Sequence, residues 1–195
     1  MTDPVKESIY LAVLSLFEEK GIHFSTADVA KKIKKSERTI YALFDSKEDM
    51  LEKSIDYAFA IITKADRDVL RDTSLSYEQR VKKYFFDMSD TYDCELILQH
   101  YNQLERRFPK LAKKIDTIMS SMHEEMMNLL ITGMEEGKLR KVNINVLELI
   151  LSDTLDKIMT APFILEHGLT FEEGAHALFD IVLHGLFVNP TEEKE

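Results

Sequence analysis

Apolar side chains recur every three to four positions along almost the whole chain, and no stretch alternates apolar and polar residues in the way a half-buried strand does. Ile9, Leu11, Ala12, Leu14, Leu16 and Phe17 mark a first helix, with Pro4 suited to its first turn and Gly21 just past its end. Two short helical segments follow. One runs from Ser25 to Ile33 and opens with the capping pattern Ser25-x-x-Asp28; the other runs from Ser36 to Phe44, and only Lys34 and Lys35 remain to connect them. Ser46-x-x-Asp49 predicts the start of a fourth helix reaching about Leu70, and Ser76-x-x-Gln79 that of a fifth ending near Tyr92. A sixth spans about Cys94 to Arg107. Pro109 suits the first turn of a long seventh that closes at Gly133, Gly137 and the basic cluster Lys138-Arg140-Lys141. Asn145-x-x-Glu148 resembles a cap for an eighth helix reaching about Glu166. Thr170-x-x-Glu173 caps a ninth that ends before Asn189-Pro190.

The punctuation divides the chain into a small three-helix unit, residues 1–46, and a larger helical body, residues 47–195, with the fourth helix (about 47–70) as connector. An all-α fold of about nine helices is the expectation. Composition agrees: of 195 residues 45% are hydrophobic, and six Gly and four Pro are too few for a turn-rich β-sandwich. With 25 basic and 35 acidic side chains the net charge is −10, so attraction to a polyanion has to come from a local patch. Cys94 is the single cysteine, which rules out a disulfide framework and a cysteine-built zinc site. The N-terminus lacks the basic start and apolar run of a signal peptide, and no apolar stretch approaches the ~20 residues of a membrane helix. A soluble, cytoplasmic protein without membrane contact is expected.

The pair of short helices backed by a third suggests a helix-turn-helix unit, whose second helix enters the major groove of DNA. The first residues of that helix would be Ser36, Glu37, Arg38 and Thr39. Arg38 is the best base reader, because a guanidinium bonds two acceptors of one guanine. Glu37 can accept from a cytosine amine, and Thr39 can meet a phosphate or a thymine methyl. Thr26, Tyr41 and Lys47 suit phosphate contacts that set register. Lys35 belongs to the run KKIKKSER, residues 31–38, which carries five basic and one acidic side chain while the chain as a whole is acidic.

The stretch FSTADVAKKIKKSERTIYALFDSKEDML resembles the TetR family of bacterial transcriptional regulators, without a gap. The likeness lies in Thr26, Asp28-Val29-Ala30, Ser36, Thr39-Ile40-Tyr41, Phe44, Ser46-Lys47-Glu48 and Leu51, and it extends back through Ile9 to Gly21. The resemblance implies an operator-binding N-terminal domain, a homodimer, and a body that binds a small-molecule effector which shifts the spacing of the two DNA heads. Repression released by that effector is the family's commoner mode. Two departures stand out. Lys34 and Lys35 occupy turn positions where the family usually has a small residue, often Gly, followed by an aliphatic one; a lysine in a left-handed turn costs ~1–2 kcal/mol. Glu37-Arg38 replaces a basic-then-small pair. The alternative reading is a helical adaptor whose degraded head no longer reads DNA.

In the body, a helix at about 145–166 is apolar nearly all round and needs cover on both sides, and one at about 171–188 has an apolar side with Gly174 and Gly185 permitting close approach; together they suggest a two-fold four-helix interface between copies. Met119, His123 and Met126 on the seventh helix form a second stripe beside the core stripe. With His100, Tyr101 and Gln103 on the sixth, and Phe163 beside Pro162, they are candidates for lining an effector cavity. Catalytic readings are weak. Glu173 and His176 give one Glu-x-x-His pair where a di-iron bundle needs two. No phosphate loop or nucleophile arrangement is present, and neither a cofactor nor a metal is implied.

Overall fold

The computed structural model describes residues 3–91, 94–158, 163 and 166–187, the side chains of 87–91 and 94–99 excepted. Among the described residues nine α-helices follow one another: α1 Pro4–Lys20, α2 Thr26–Lys32, α3 Glu37–Tyr41, α4 Lys47–Arg71, α5 Tyr77–Thr91, α6 Cys94–Arg107, α7 Pro109–Glu135, α8 Ile144–Ile158 and α9 Phe171–Leu186. Pro162, in the part expected to close the eighth helix, and the Cys94 side chain lie outside the described set.

The expected caps set most of the helix starts. Ser25 and Asp28 close a reciprocal capping box at α2, and Thr170 and Glu173 close another at α9. Ser36 Oγ accepts from the Thr39 amide at α3, and Ser46 Oγ from the Asp49 amide at α4. Ser76 and Gln79 exchange bonds of 3.1 and 2.8 Å at α5. The exception is α8. Its cap is Asn143, whose side-chain oxygen takes the amides of Asn145 and Val146, and not Asn145 as the spacing suggested. The third helix is also shorter than expected: after Tyr41 the Leu43 and Phe44 amides both return to the Ile40 carbonyl.

By their internal packing the residues form two compact units, Met1–Lys64 with Leu96–Ile115, and Ala65–Glu95 with Asp116–Glu195. The first unit has its core in Ile9, Val13, Phe17, Val29, Ile40, Leu51 and Ile55, each no more than 1% exposed, joined by Leu104, Leu111 and Ile115. Lys114, near the start of α7, donates to Glu52 and Asp56 of α4 at 2.8 and 2.7 Å. The second unit is built around Val81, Phe85, Met126, Leu130, Leu151, Ala175 and Phe179. Gly174 lets α9 approach α8, since a Cβ there would lie 2.8 Å from an Ile158 methyl. The Arg140 amide donates to the Leu186 carbonyl, pinning the loop after α7 to the end of α9.

Candidate nucleic-acid interface

The turn between α2 and α3 carries the backbone anomaly expected at the lysine pair. Lys34 has φ +55°, the only left-handed non-glycine among the described residues. Its amide donates to the Lys31 carbonyl and the Lys35 amide to that of Ala30, so the chain reverses tightly and both lysine side chains stay exposed. Of the two aliphatic residues flanking the turn, Ile40 is 1% exposed and Ile33 only half-buried. Lys34→Gly should therefore raise the stability of the chain by about 1 kcal/mol. A chemical denaturation midpoint that fails to rise would show that the turn is not strained. The same variant removes a cation from the basic run, so its DNA affinity should fall as stability rises.

Charge is distributed unevenly over this unit. Lys32 is neutralised by Glu19 of α1 at 2.7 Å and also donates to Ser15; Lys20 pairs with Asp28 at 3.1 Å. The Asp28 carboxyl is pulled down to about 2, mainly by the Ser25 amide and hydroxyl and then by Lys20. By contrast Lys31, Lys34, Lys35 and Arg38 are exposed and have no ion-pair partner among the described residues. The basic run thus divides into a lysine that staples α2 to α1 and four cations that face solvent around the turn and α3.

The remaining predicted contacts separate into two groups. Ser36, Glu37, Arg38, Thr39, Tyr41 and Thr26 lie together. Tyr41 is 59% exposed, and its hydroxyl lies 2.9 Å from Thr26 Oγ1, which donates to Glu37 Oε2 at 3.2 Å. Ser36 and Thr39 hydroxyls meet at 3.0 Å. Lys47 is placed differently. Its half-buried ammonium donates to the carbonyls of Ile22 and Phe24 and lies 4.4 Å from the Phe24 ring centre. Burial pushes its pKa down, and Arg107 adds repulsion. Two of its three N–H groups thus hold the loop that leads into α2.

The seven residues considered for an effector cavity do not all fall in one unit. His100, Tyr101 and Gln103 belong to the first. His100 stacks edge-on against Phe17 at 5.3 Å, and its Nε2 donates to the Glu18 carbonyl at 3.2 Å. Met119, His123, Met126 and Phe163 belong to the second, where Met126 is core at 2% exposure and Phe163 stacks on His167 at 4.3 Å. Sequence reasoning passed over a buried polar pair in that unit. Asp66 is 5% exposed and Tyr84 1%; burial pushes the Tyr84 hydroxyl up, with the Asp66 and Glu125 carboxylates adding to it. The available signal was register, because Asp66 continues the stripe Ile55, Phe59 and Ile62 of α4.

Among the described residues no group of three or more His, Cys, Asp or Glu side chains could hold a metal ion, and no helix is long and apolar enough to cross a membrane. Residues 9–53, which span α1 to the first turns of α4, match the model of the bacterial regulatory proteins of the tetR family. Through this N-terminal domain the chain is of TetR type. It is thus a helix-turn-helix DNA-binding transcriptional regulator, in a family that is not enzymatic. Similarity to other transcriptional regulators extends over most of the chain. The HTH-type transcriptional regulator YvaF of Bacillus subtilis (strain 168) is 20% identical over 88% of this chain and 90% of that protein. Similar folds include the TetR-family regulator PfmR of Thermus thermophilus (TM-score 0.66, 21% identity, covering 91% of this chain and 97% of that one). A transcriptional regulator of Saccharomonospora viridis in complex with choline has TM-score 0.74 at 15% identity, covering 95% and 98%. The fatty acid degradation regulator FadR of Bacillus halodurans has 0.71 at 18%, covering 95% and 97%.

Proposed function

We propose that the protein is a homodimeric repressor that reads an operator through α3 and releases it when a small molecule binds the body. One observation carries the DNA half of this reading: Lys31, Lys34, Lys35 and Arg38 present unneutralised charge around an exposed recognition helix in an otherwise acidic chain. In this reading residues 1–46 are the DNA-binding domain and 47–195 the effector and dimerisation domain. Phosphates neutralise the lysines and Arg38 reads a base pair.

Unpartnered apolar surface supports the dimer. The inner side of α8 is buried at Leu147, Leu151 and Ile158, yet Val146, Leu149 and Ile150 on its other side are 51, 56 and 45% exposed. On α9 Ile181 is 72% exposed, and next to it Gly185 has open space above it. A second copy presenting the same rows would cover both, and two heads would then read half-sites ~34–36 Å apart. Similarity in fold to a regulator bound to choline supports an effector in the body without fixing its chemistry.

The test is a titration of full-length protein against duplexes it selects from a random pool, at two salt concentrations. Arg38→Ala should weaken binding to the selected duplex about 10–100-fold, with preference lost at one base pair, while binding to random duplex changes little. Equal weakening on both duplexes would make Arg38 a phosphate contact. No weakening on either would refute the reading of α3.

A further inference from the structure

The hydroxyls of Thr26, half-buried, and Tyr41, exposed, are uncharged donors flanking the basic run, and their hydrogen bonds stay within the protein. Thr26 has one proton, and it is donated to Glu37 Oε2 at 3.2 Å. The 2.9 Å contact between Thr26 Oγ1 and the Tyr41 hydroxyl must then be donated by tyrosine. The chain Tyr41 O–H to Thr26 O–H to Glu37 carboxylate therefore ends on an anion, and both donors are committed within the protein. The carboxylate sits on α3 one residue before Arg38, yet it is held by α2 and forms no ion pair with Arg38. Lys34 and Lys35 are close in sequence and unpaired.

We infer that Glu37 is a built-in phosphate substitute: its carboxylate occupies the place a DNA phosphate oxygen would take on the Thr26 hydroxyl, onto which Tyr41 donates, so that binding requires an exchange of one anion for another. This rests on the reading that the face bearing α3 meets the DNA backbone. The exchange makes DNA affinity lower than the cationic surface alone would give. It also holds α3 against α2 when DNA is absent, which compensates for the strained turn between them. Glu37 is here a positioning residue acting through Thr26, and not a reader of bases.

The experiment uses full-length protein, a random-sequence duplex of about 30 base pairs as the general probe, and duplexes selected from a random pool as the specific one. Glu37→Ala should tighten binding to the random duplex by roughly three- to tenfold, the net worth of about one hydrogen bond, and leave the selected sequence preference unchanged. In a Thr26→Val/Tyr41→Phe background, whose folding is checked by circular dichroism, the same substitution should change affinity less than twofold. An undiminished gain in that background would mean simple charge repulsion and would overturn the proposal. So would weaker binding of Glu37→Ala, or a preference altered at one base pair. The underlying reading fails separately: if Thr26→Val/Tyr41→Phe leaves affinity unchanged when Glu37 is already Ala, those hydroxyls never touch phosphate.

Discussion

An Ile181→Glu chain should sediment at the 22.6 kDa chain mass and the native protein, as the dimer proposed, at twice that, and the variant should lose most of its DNA affinity with its helices intact. Ile181 is 72% exposed in the single chain, so the substitution removes almost no packing within a protomer. In a two-fold dimer it acts twice. Each symmetric site forfeits about 1.5–3 kcal/mol of apolar burial, and each gains a carboxylate with no partner. At about 1.4 kcal/mol per decade, the dimer dissociation constant should rise at least ~100-fold. DNA affinity should follow, since the second head is lost as a tethered ligand, a loss of about 10²–10⁴. Sedimentation velocity at micromolar protein checks the first step and anisotropy with the selected duplex the second. Thermal unfolding extrapolated to low protein concentration should hardly differ from native. A variant that remains dimeric would place the interface elsewhere than on α8 and α9.

The parts of this molecule that sequence reading recovered are those fixed by neighbours a few positions away. Capping pairs are of that kind: Ser25 with Asp28, Ser76 with Gln79 and Thr170 with Glu173 each satisfy two amides locally, so the pattern alone specifies them. The strain at Lys34 was legible as well, through the resemblance, because the turn of that family usually carries a small residue, often Gly, where this chain has lysine. Where two local solutions compete, the pattern loses resolution. Asn143 and Asn145 can both cap, and Asn143 prevails at α8.

Distant partners were not legible. Lys47 reads as a phosphate contact until the chain brings it under carbonyls 25 and 23 residues earlier, where packing on Phe24 and two acceptors fix it. His100 and Gln103 read, with Tyr101, as candidates on the sixth helix for lining an effector cavity. Their surroundings are set by the end of α1, some 80 residues away in sequence. Asp66 shows the converse, a carboxylate in core register that composition alone treats as surface.

The end of α1 is where the largest stability effect should appear. Gly21 closes α1 with φ +57° and ψ −139°, a conformation that residues with a side chain scarcely populate. Its α-carbon is also pressed against α6. A Cβ there would lie 2.6 Å from Gln103 Oε1 and 2.8 Å from His100 Nδ1. Both atoms are buried without a hydrogen-bond partner among the described residues, so a glycine Cα–H is what they face. Gly21→Ala should therefore cost about 2–4 kcal/mol, backbone strain and steric conflict together, as a lower midpoint in chemical denaturation. Gly137→Ala is the comparison: φ is +70° there but nothing lies within 4 Å, so about 1–2 kcal/mol of strain is expected without conflict. The two contributions at Gly21 separate in a double-mutant cycle. In a His100→Ala/Gln103→Ala background the alanine should cost about 1–2 kcal/mol less than in the native chain, because the conflict is gone and the strain remains. An unchanged cost would mean that the Gln103 amide and the imidazole swing aside freely, and that α6 makes no specific fit to the end of α1. A recovered cost would establish that fit and show that the residue ending α1 has to be glycine on two independent grounds.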